Sequence, residues 1–263
     1  RVLKTLDVDS TALGFSGGFP GDFIAQTLED SNIQSDFVQV DEDTRINVKL
    51  KSGQETEINA PGPKVTHAQF EQLLSQIRRT TNDDIVIVAG SVPNSIPSDA
   101  YAQIAQITEK TGAQLVVDAE KDLVETVLPY RPLFIKPNKD ELEVMFNTTV
   151  KSDEDVIKYG KEILKKGAQS VIISLGGDGA IYVDQHQSIK AVNPQGHVVN
   201  TVGSGDSTVA GMVAGLSMGL NIDEAFQQAV ASGTATAFSE DLATRDAIEN
   251  IKSQVTISVL DGE

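Results

Sequence analysis

The chain has 263 residues, no cysteine and no tryptophan, and 40% of it is hydrophobic, enough for one large core with a small appendage but not for two full domains. Without cysteine there are neither disulfides nor thiol chemistry, and 21 basic against 38 acidic residues give a net charge of −17. That charge opposes non-specific binding to nucleic acid or anionic lipid, no apolar run approaches a membrane span, and the first residues lack a signal-peptide layout. A cytoplasmic chain with no nucleic-acid and no membrane partner is therefore expected.

Arg1-Val2-Leu3-Lys4-Thr5-Leu6 has the spacing of the last turns of an amphipathic helix, with no cap residue before it. Residues 10–15 read as a buried strand. Gly17-Gly18-Phe19-Pro20-Gly21-Asp22 then reads as a strand-to-helix turn leading into a helix through Phe23, Ile24, Thr27 and Leu28; its spacing is wrong for a dinucleotide fingerprint. From 36 to 59 the pattern changes. Residues 44–50 and 55–59 alternate polar and apolar around a turn at Lys51-Ser52-Gly53-Gln54. This predicts a hairpin with one exposed face, a small β-lid over 36–60 standing off the main sheet.

Beyond Pro61-Gly62-Pro63 a strand-helix rhythm sets in, with helices predicted over 68–79, 99–110 and 153–166 and strands over 84–89, 113–117, 132–136 and 170–174. The runs at 84–89 and 170–174 are almost continuously apolar, as in parallel strands covered on both faces. Strands at 180–184 and 188–192 form an antiparallel pair, helices follow over 207–218 and 222–238, and a short segment closes the chain. The pattern describes one α/β domain over 1–263 built on an open, mostly parallel sheet.

In such sheets ligands gather at the carboxyl ends of the strands, and four of these ends are polar. They are Gly90-Ser91-Val92-Pro93, Lys136-Pro137-Asn138-Lys139-Asp140-Glu141, Ser174-Leu175-Gly176-Gly177-Asp178-Gly179, and Asn200-Thr201-Val202-Gly203-Ser204-Gly205-Asp206-Ser207. In the last, two glycines flank Ser204 and the following amides open a helix, which suits an anion. Asp206 lies in the first turn, where a carboxylate could take a proton from a hydroxyl held over those amides; equally, Ser204 or Asp206 could merely cap a core helix. Asn138 and Glu141 have capping-box spacing, and also suit magnesium waters and phosphate oxygens. Gly176 to Gly179 fits a tight hairpin link or a nucleotide loop, and Ser91 before Pro93 is by itself an ordinary turn. On the lid, Arg45 offers a fork for a phosphate, with Lys49 on the same face by strand parity; solvated edge charges that discourage aggregation are the alternative. His67, His186 and His197 have no ligand spacing, and neither a G-x-S-x-G elbow nor a G-x-x-x-x-G-K-[ST] loop occurs.

With these residues the chain resembles the ribokinase-like (PfkB) sugar kinases over essentially its whole length. The stretch around Asp206 is similar to that family's signature, which implies Asp206 as general base and Gly203, Ser204 and Gly205 as the anion hole. Lys136-Pro137-Asn138 with Glu141 resembles its magnesium–phosphate motif, implying Asn138 and Glu141 at the metal and Lys136 and Asn138 at ATP. Ser174, Gly176, Gly177 and Gly179 resemble its nucleotide loop, with Thr201 nearby, while Ser91 and Arg45, joined by Lys49, match its phosphosugar contacts. The resemblance implies a ribokinase-like three-layer fold, ATP and Mg2+ as cofactors, a phosphosugar substrate, and a homodimer through the β-lid.

Thr44-Arg45-Ile46-Asn47-Val48-Lys49, Asn59-Ala60-Pro61-Gly62-Pro63 and the stretch 237–245 favour the branch that phosphorylates D-fructose 1-phosphate at its 6-hydroxyl, over the neighbouring tagatose-6-phosphate kinases. Members of the family open with an Asn-Pro-x-x-Asp strand and a Gly-Gly-Lys-Gly-x-Asn turn, which do not occur here. The expectation is an N-terminal segment absent from this sequence or a truncated form, and a truncated, non-catalytic nucleotide or phosphosugar binder is the alternative of another class.

Overall fold

The computed structural model describes residues 1–52 and 54–262. The chain begins with α1 (Val2–Thr5), β1 (Thr11–Ser16), α2 (Gly18–Asp30) and β2 (Gln34–Gln39), followed by the hairpin strands β3 (Val48–Ser52) and β4 (Gln54–Ile58). Then come α3 (His67–Ile77), β5 (Ile85–Ala89), α4 (Ala100–Thr111), β6 (Gln114–Asp118), α5 (Lys121–Val127), β7 (Phe134–Ile135), α6 (Lys139–Phe146) and α7 (Asp153–Lys166). The last part holds β8 (Val171–Ser174), β9 (Ala180–Val183), β10 (Gln187–Val192), α8 (Ser204–Ser217), α9 (Ile222–Ala237), α10 (Arg245–Lys252) and β11 (Thr256–Gly262).

Seven strands form the main sheet in the order β11-β10-β9-β8-β7-β6-β5, parallel from β5 to β8 and antiparallel from β8 to β11. Successive strand residues point to opposite faces, and two cores follow from that alternation. Val117, Ile135 and Ile173 pack with residues of α3, α4 and α7, such as Phe70, Ile104 and Ile163. Their neighbours Val116, Phe134 and Ile172 pack with residues of α8 to α10, such as Met212, Phe226 and Ile248. The result is a mostly parallel sheet between two helical layers, as the ribokinase-like resemblance implies.

Helix ends are set by local chemistry. Ser152 caps α7 by accepting from the Asp155 N–H at 3.3 Å, three acidic residues fill the first turn, and Lys165 and Lys166 the last, each matched to the helix dipole. α8 and α9 approach closely because they are made of small residues: a Cβ on Gly211 would lie 2.8 Å from Ala229 Cα, and one on Gly215 2.8 Å from Ala225 Cα.

Three expectations are corrected. The strand at 10–15 is not buried: among the described residues β1 pairs in parallel with β2 alone, and Leu13 is 38% exposed. Residues 34–39, at the edge of the expected lid, form β2, so the hairpin itself begins at Val48; the turn at Lys51-Ser52-Gly53-Gln54 includes Gly53, which lies outside the described residues. The closing segment, expected only as a short segment, is a seven-residue edge strand, β11, paired antiparallel with β10. Among the described residues no helix is long and apolar enough to cross a membrane.

Candidate active site

The strand ends of the main sheet meet the N-terminus of α8. Gly203 caps that helix in the left-handed region (φ 81°), and a Cβ there would stand 2.8 Å from Leu242 Cδ2. The incoming segment is tied down by the N–H groups of Val199 and Asn200, which both donate to the Ala237 carbonyl, and by the Asn200 amide donating to the Glu240 carbonyl at 3.2 Å. In the first turn the Ser204 N–H donates to Thr201 O at 3.2 Å and the Ser207 N–H to Gly203 O at 2.8 Å. Among the described residues no acceptor takes the N–H groups of Gly205 and Asp206, and the buried Ser204 hydroxyl has no partner. This helix end is thus a cluster of unspent donors.

Lys136 follows β7 and reaches the same place: its ammonium lies 3.3 Å from where a Cβ on Gly205 would stand. The lysine is 8% exposed and pairs with Asp118, at the end of β6, at 3.3 Å. Burial pushes the Asp118 carboxyl above its ordinary range; Lys136 opposes the shift, and the nearby carboxylates of Asp206 and Glu141 add to it. Two positive features, a helix N-terminus and a buried ammonium, therefore converge beside a group of carboxylates. Gly90, Ser91, Pro93, Asp118, Glu141 and Asp206 line one cleft of about 780 Å³. A smaller recess of about 230 Å³ adjoins it, sharing Asp118 and Asp206 but walled by Val2, Ile87 and Val209.

The capping box at the start of α6 is formed: Asn138 Oδ1 accepts from the Glu141 N–H and Glu141 Oε2 from the Asn138 N–H, both at 2.8 Å. This orients Glu141, which lines the cleft, while Asn138 stays behind it and bridges in parallel to Ser174. The Ser174 N–H donates to Pro137 O at 3.0 Å, so the motif at 136–141 and the loop at 174–179 are neighbours.

The glycines of that loop separate. The loop is the link between the antiparallel strands β8 and β9. A Cβ on Gly179 would lie 1.9 Å from the Ala191 carbonyl oxygen, so packing explains that residue, whereas nothing lies within 4 Å of a Cβ on Gly176 or Gly177. Thr201 is exposed just before α8, its carbonyl used by Ser204.

Arg45 and Lys49 are exposed and line neither recess of the cleft. Arg45 precedes β3, so strand parity does not extend to it and the shared-face argument with Lys49 fails. Sequence reasoning missed Asp118 by ending its strand at Val117; the rule that chemistry sits at carboxyl strand ends applies to it as to the other four.

Among the described residues no group of three or more His, Cys, Asp or Glu side chains could hold a metal alone. Asp118, Glu141 and Asp206 on one cleft wall fit Mg2+ in another way, since that ion takes one or two carboxylates and draws its remaining ligands from water and phosphate.

A family model described as pfkB family carbohydrate kinase matches residues 1–247. The chain is 42% identical to a 1-phosphofructokinase of Bacillus subtilis, over 99% of its own length and 86% of that protein's. It is 37% identical to a D-tagatose-1-phosphate kinase of Bacillus licheniformis, over 98% of its length and 86% of the relative's. A solved structure from Staphylococcus aureus, provisionally named a phosphofructokinase, matches with a TM-score of 0.92 and 81% identity, covering 100% of this chain and 86% of that one.

Proposed function

The chain belongs to the pfkB family of carbohydrate kinases, and on that premise we propose that it transfers the γ-phosphoryl group of ATP to the 6-hydroxyl of D-fructose 1-phosphate, giving fructose 1,6-bisphosphate and ADP. One observation carries the reading: Asp206 shares a helix end with free amides and a buried ammonium, on the wall of a cleft that Ser91 also lines.

In this reading Asp206 takes the proton of the 6-hydroxyl as its oxygen bonds to the γ-phosphorus and the bond to the bridging oxygen of ADP breaks. The Gly205 and Asp206 amides, the Ser204 hydroxyl and the Lys136 ammonium oppose charge on the group in transfer. Gly203 supplies the left-handed cap that aims those amides. Glu141, oriented by its capping box with Asn138 and with Asp118 beside it, would hold Mg2+, whose charge offsets that of the phosphate oxygens when bound. Ser174, Gly176, Gly177 and Thr201 border the nucleotide, which takes the open space over Gly176 and Gly177, while Gly179 shapes the loop by packing against Ala191. Ser91 contacts the sugar, and Arg45, helped by Lys49, clamps its phosphate from the hairpin.

A homodimer through the hairpin belongs to the same reading, because Ile46, Val48, Leu50 and Ile58 expose apolar side chains there. A cytoplasmic setting suits ATP, a phosphosugar and a chain without cysteine.

A second reading, a tagatose phosphate as the sugar, is favoured by the relative named for D-tagatose 1-phosphate. Initial rates at matched ATP with fructose 1-phosphate, tagatose 1-phosphate, tagatose 6-phosphate and fructose 6-phosphate decide between them. The highest kcat/KM is expected on fructose 1-phosphate; a higher value on a tagatose phosphate selects the second reading. Tight binding of ATP and sugar with no turnover would leave a non-catalytic binder.

A further inference from the structure

Ser91 is exposed on the cleft wall and, among the described residues, has no hydrogen-bond partner. Its position is therefore inherited from the chain on either side. Downstream, the Ile96 N–H donates to Pro93 O at 3.1 Å and the Ser95 hydroxyl oxygen accepts from the Val65 N–H at 2.8 Å. Upstream there is only Gly90, which has a left-handed conformation (φ 84°) although nothing lies within 4 Å of a Cβ built on it. The glycine is thus present for its backbone angle and not for lack of space. Two bonds hold that angle: the Gly90 N–H donates to Asp118 O at 3.3 Å, and the Tyr101 hydroxyl donates to Gly90 O at 2.9 Å.

Tyr101 comes from the first turn of α4 and is 6% exposed, its ring packed in the core with the α3 and β6 residues. A phenylalanine would fill the same space; only the hydroxyl reaches the turn. Burial, then the charge of Asp118, pushes that hydroxyl up to about 12, so it stays a donor at any pH at which the protein works.

We infer that Tyr101 is a positioning residue for the phosphosugar: by holding the Gly90 carbonyl, its hydroxyl fixes the turn that presents Ser91 to the substrate. The inference rests on the kinase reading. It goes further by assigning a role to a side chain that does not itself line the cleft and lies on a helix the reaction does not use.

The test is Tyr101→Phe in the full chain. It should raise KM for the preferred phosphosugar about fivefold, the scale of one buried hydrogen bond, with kcat and the KM for ATP within about twofold of wild type. Ser91→Ala should raise the same KM in the wild-type background and by less in Tyr101→Phe, because the two changes act on one contact. Hydrogen exchange over 90–95 should quicken in Tyr101→Phe, while α4 and β6 keep their protection. An unchanged sugar KM, additive changes, or a parallel loss in kcat and both KM values would overturn the inference. Exchange separates the two possible failures. A wild-type chain inert toward every phosphosugar breaks the kinase reading and with it the substrate role, whereas unaltered exchange over 90–95 in the variant breaks the anchor itself.

Discussion

On the cleft side, Lys136 and Asp118 are 8% and 19% exposed and pair at 3.3 Å, and Glu141 is held by a capping box at 2.8 Å. Around the hairpin, Ile46 just before it and Val48, Leu50 and Ile58 on it are between 48% and 60% exposed, and among the described residues β3 pairs with β4 alone. The cleft residues sit on strand ends and a helix start that the sheet fixes in space, so chemistry and position come together. The hairpin has its own local pairing, and among the described residues no strand of the main sheet pairs with it.

The largest expected effect tests the fixed side. Asp206→Asn keeps the size of an exposed side chain and removes the base, so kcat should fall on the order of 10²–10⁴-fold with the unfolding midpoint unchanged. Near-wild-type turnover would take the reaction away from this helix end.

A pair of glycines in the loop after β8 gives the next contrast. Gly179→Ala combines a left-handed φ of 93° with a Cβ 1.9 Å from the Ala191 carbonyl. It should lower stability in urea by about 2–5 kcal/mol, strain and overpacking together. Gly177→Ala points into open space and should change stability by less than about 0.5 kcal/mol while raising KM for ATP. An ATP KM unmoved by Gly177→Ala would place the nucleotide elsewhere.

The same division governs what the sequence reveals. The apolar runs of β5 and β8 and the caps at Asn138 and Ser152 are short-range signals, and the structure has each of them. The convergence of Lys136 on Gly205 and the bond from Tyr101 to Gly90 join residues 69 and 11 positions apart through the fold, and no local pattern announces them. Asp118 lay within reach, one residue beyond the apolar run that predicts its strand. β1 misled because its sequence is apolar enough to read as buried, while burial depends on neighbours that only the assembled sheet reveals.

Arg45→Ala probes the hairpin side of the comparison. The segment before Arg45 is tethered: the Thr44 hydroxyl oxygen accepts from the Gly17 N–H at 3.0 Å, the Thr44 N–H donates to Gly17 O at 2.8 Å, and Glu42 accepts from the Lys64 N–H at 2.7 Å. Arg45 is the next residue, between that tether and β3. Lys49 is the second residue of β3. If the fork clamps the sugar phosphate, Arg45→Ala should raise KM for the phosphosugar about tenfold and leave kcat and the KM for ATP nearly unchanged, as the loss of uniform binding requires. Lys49→Ala should do less, because a point charge replaces no bidentate contact. An unchanged sugar KM in Arg45→Ala would move the phosphate to the cleft wall, where the Lys136 ammonium and the free amides of α8 would have to hold it. The hairpin would then bind no substrate, and its apolar side chains would serve association alone.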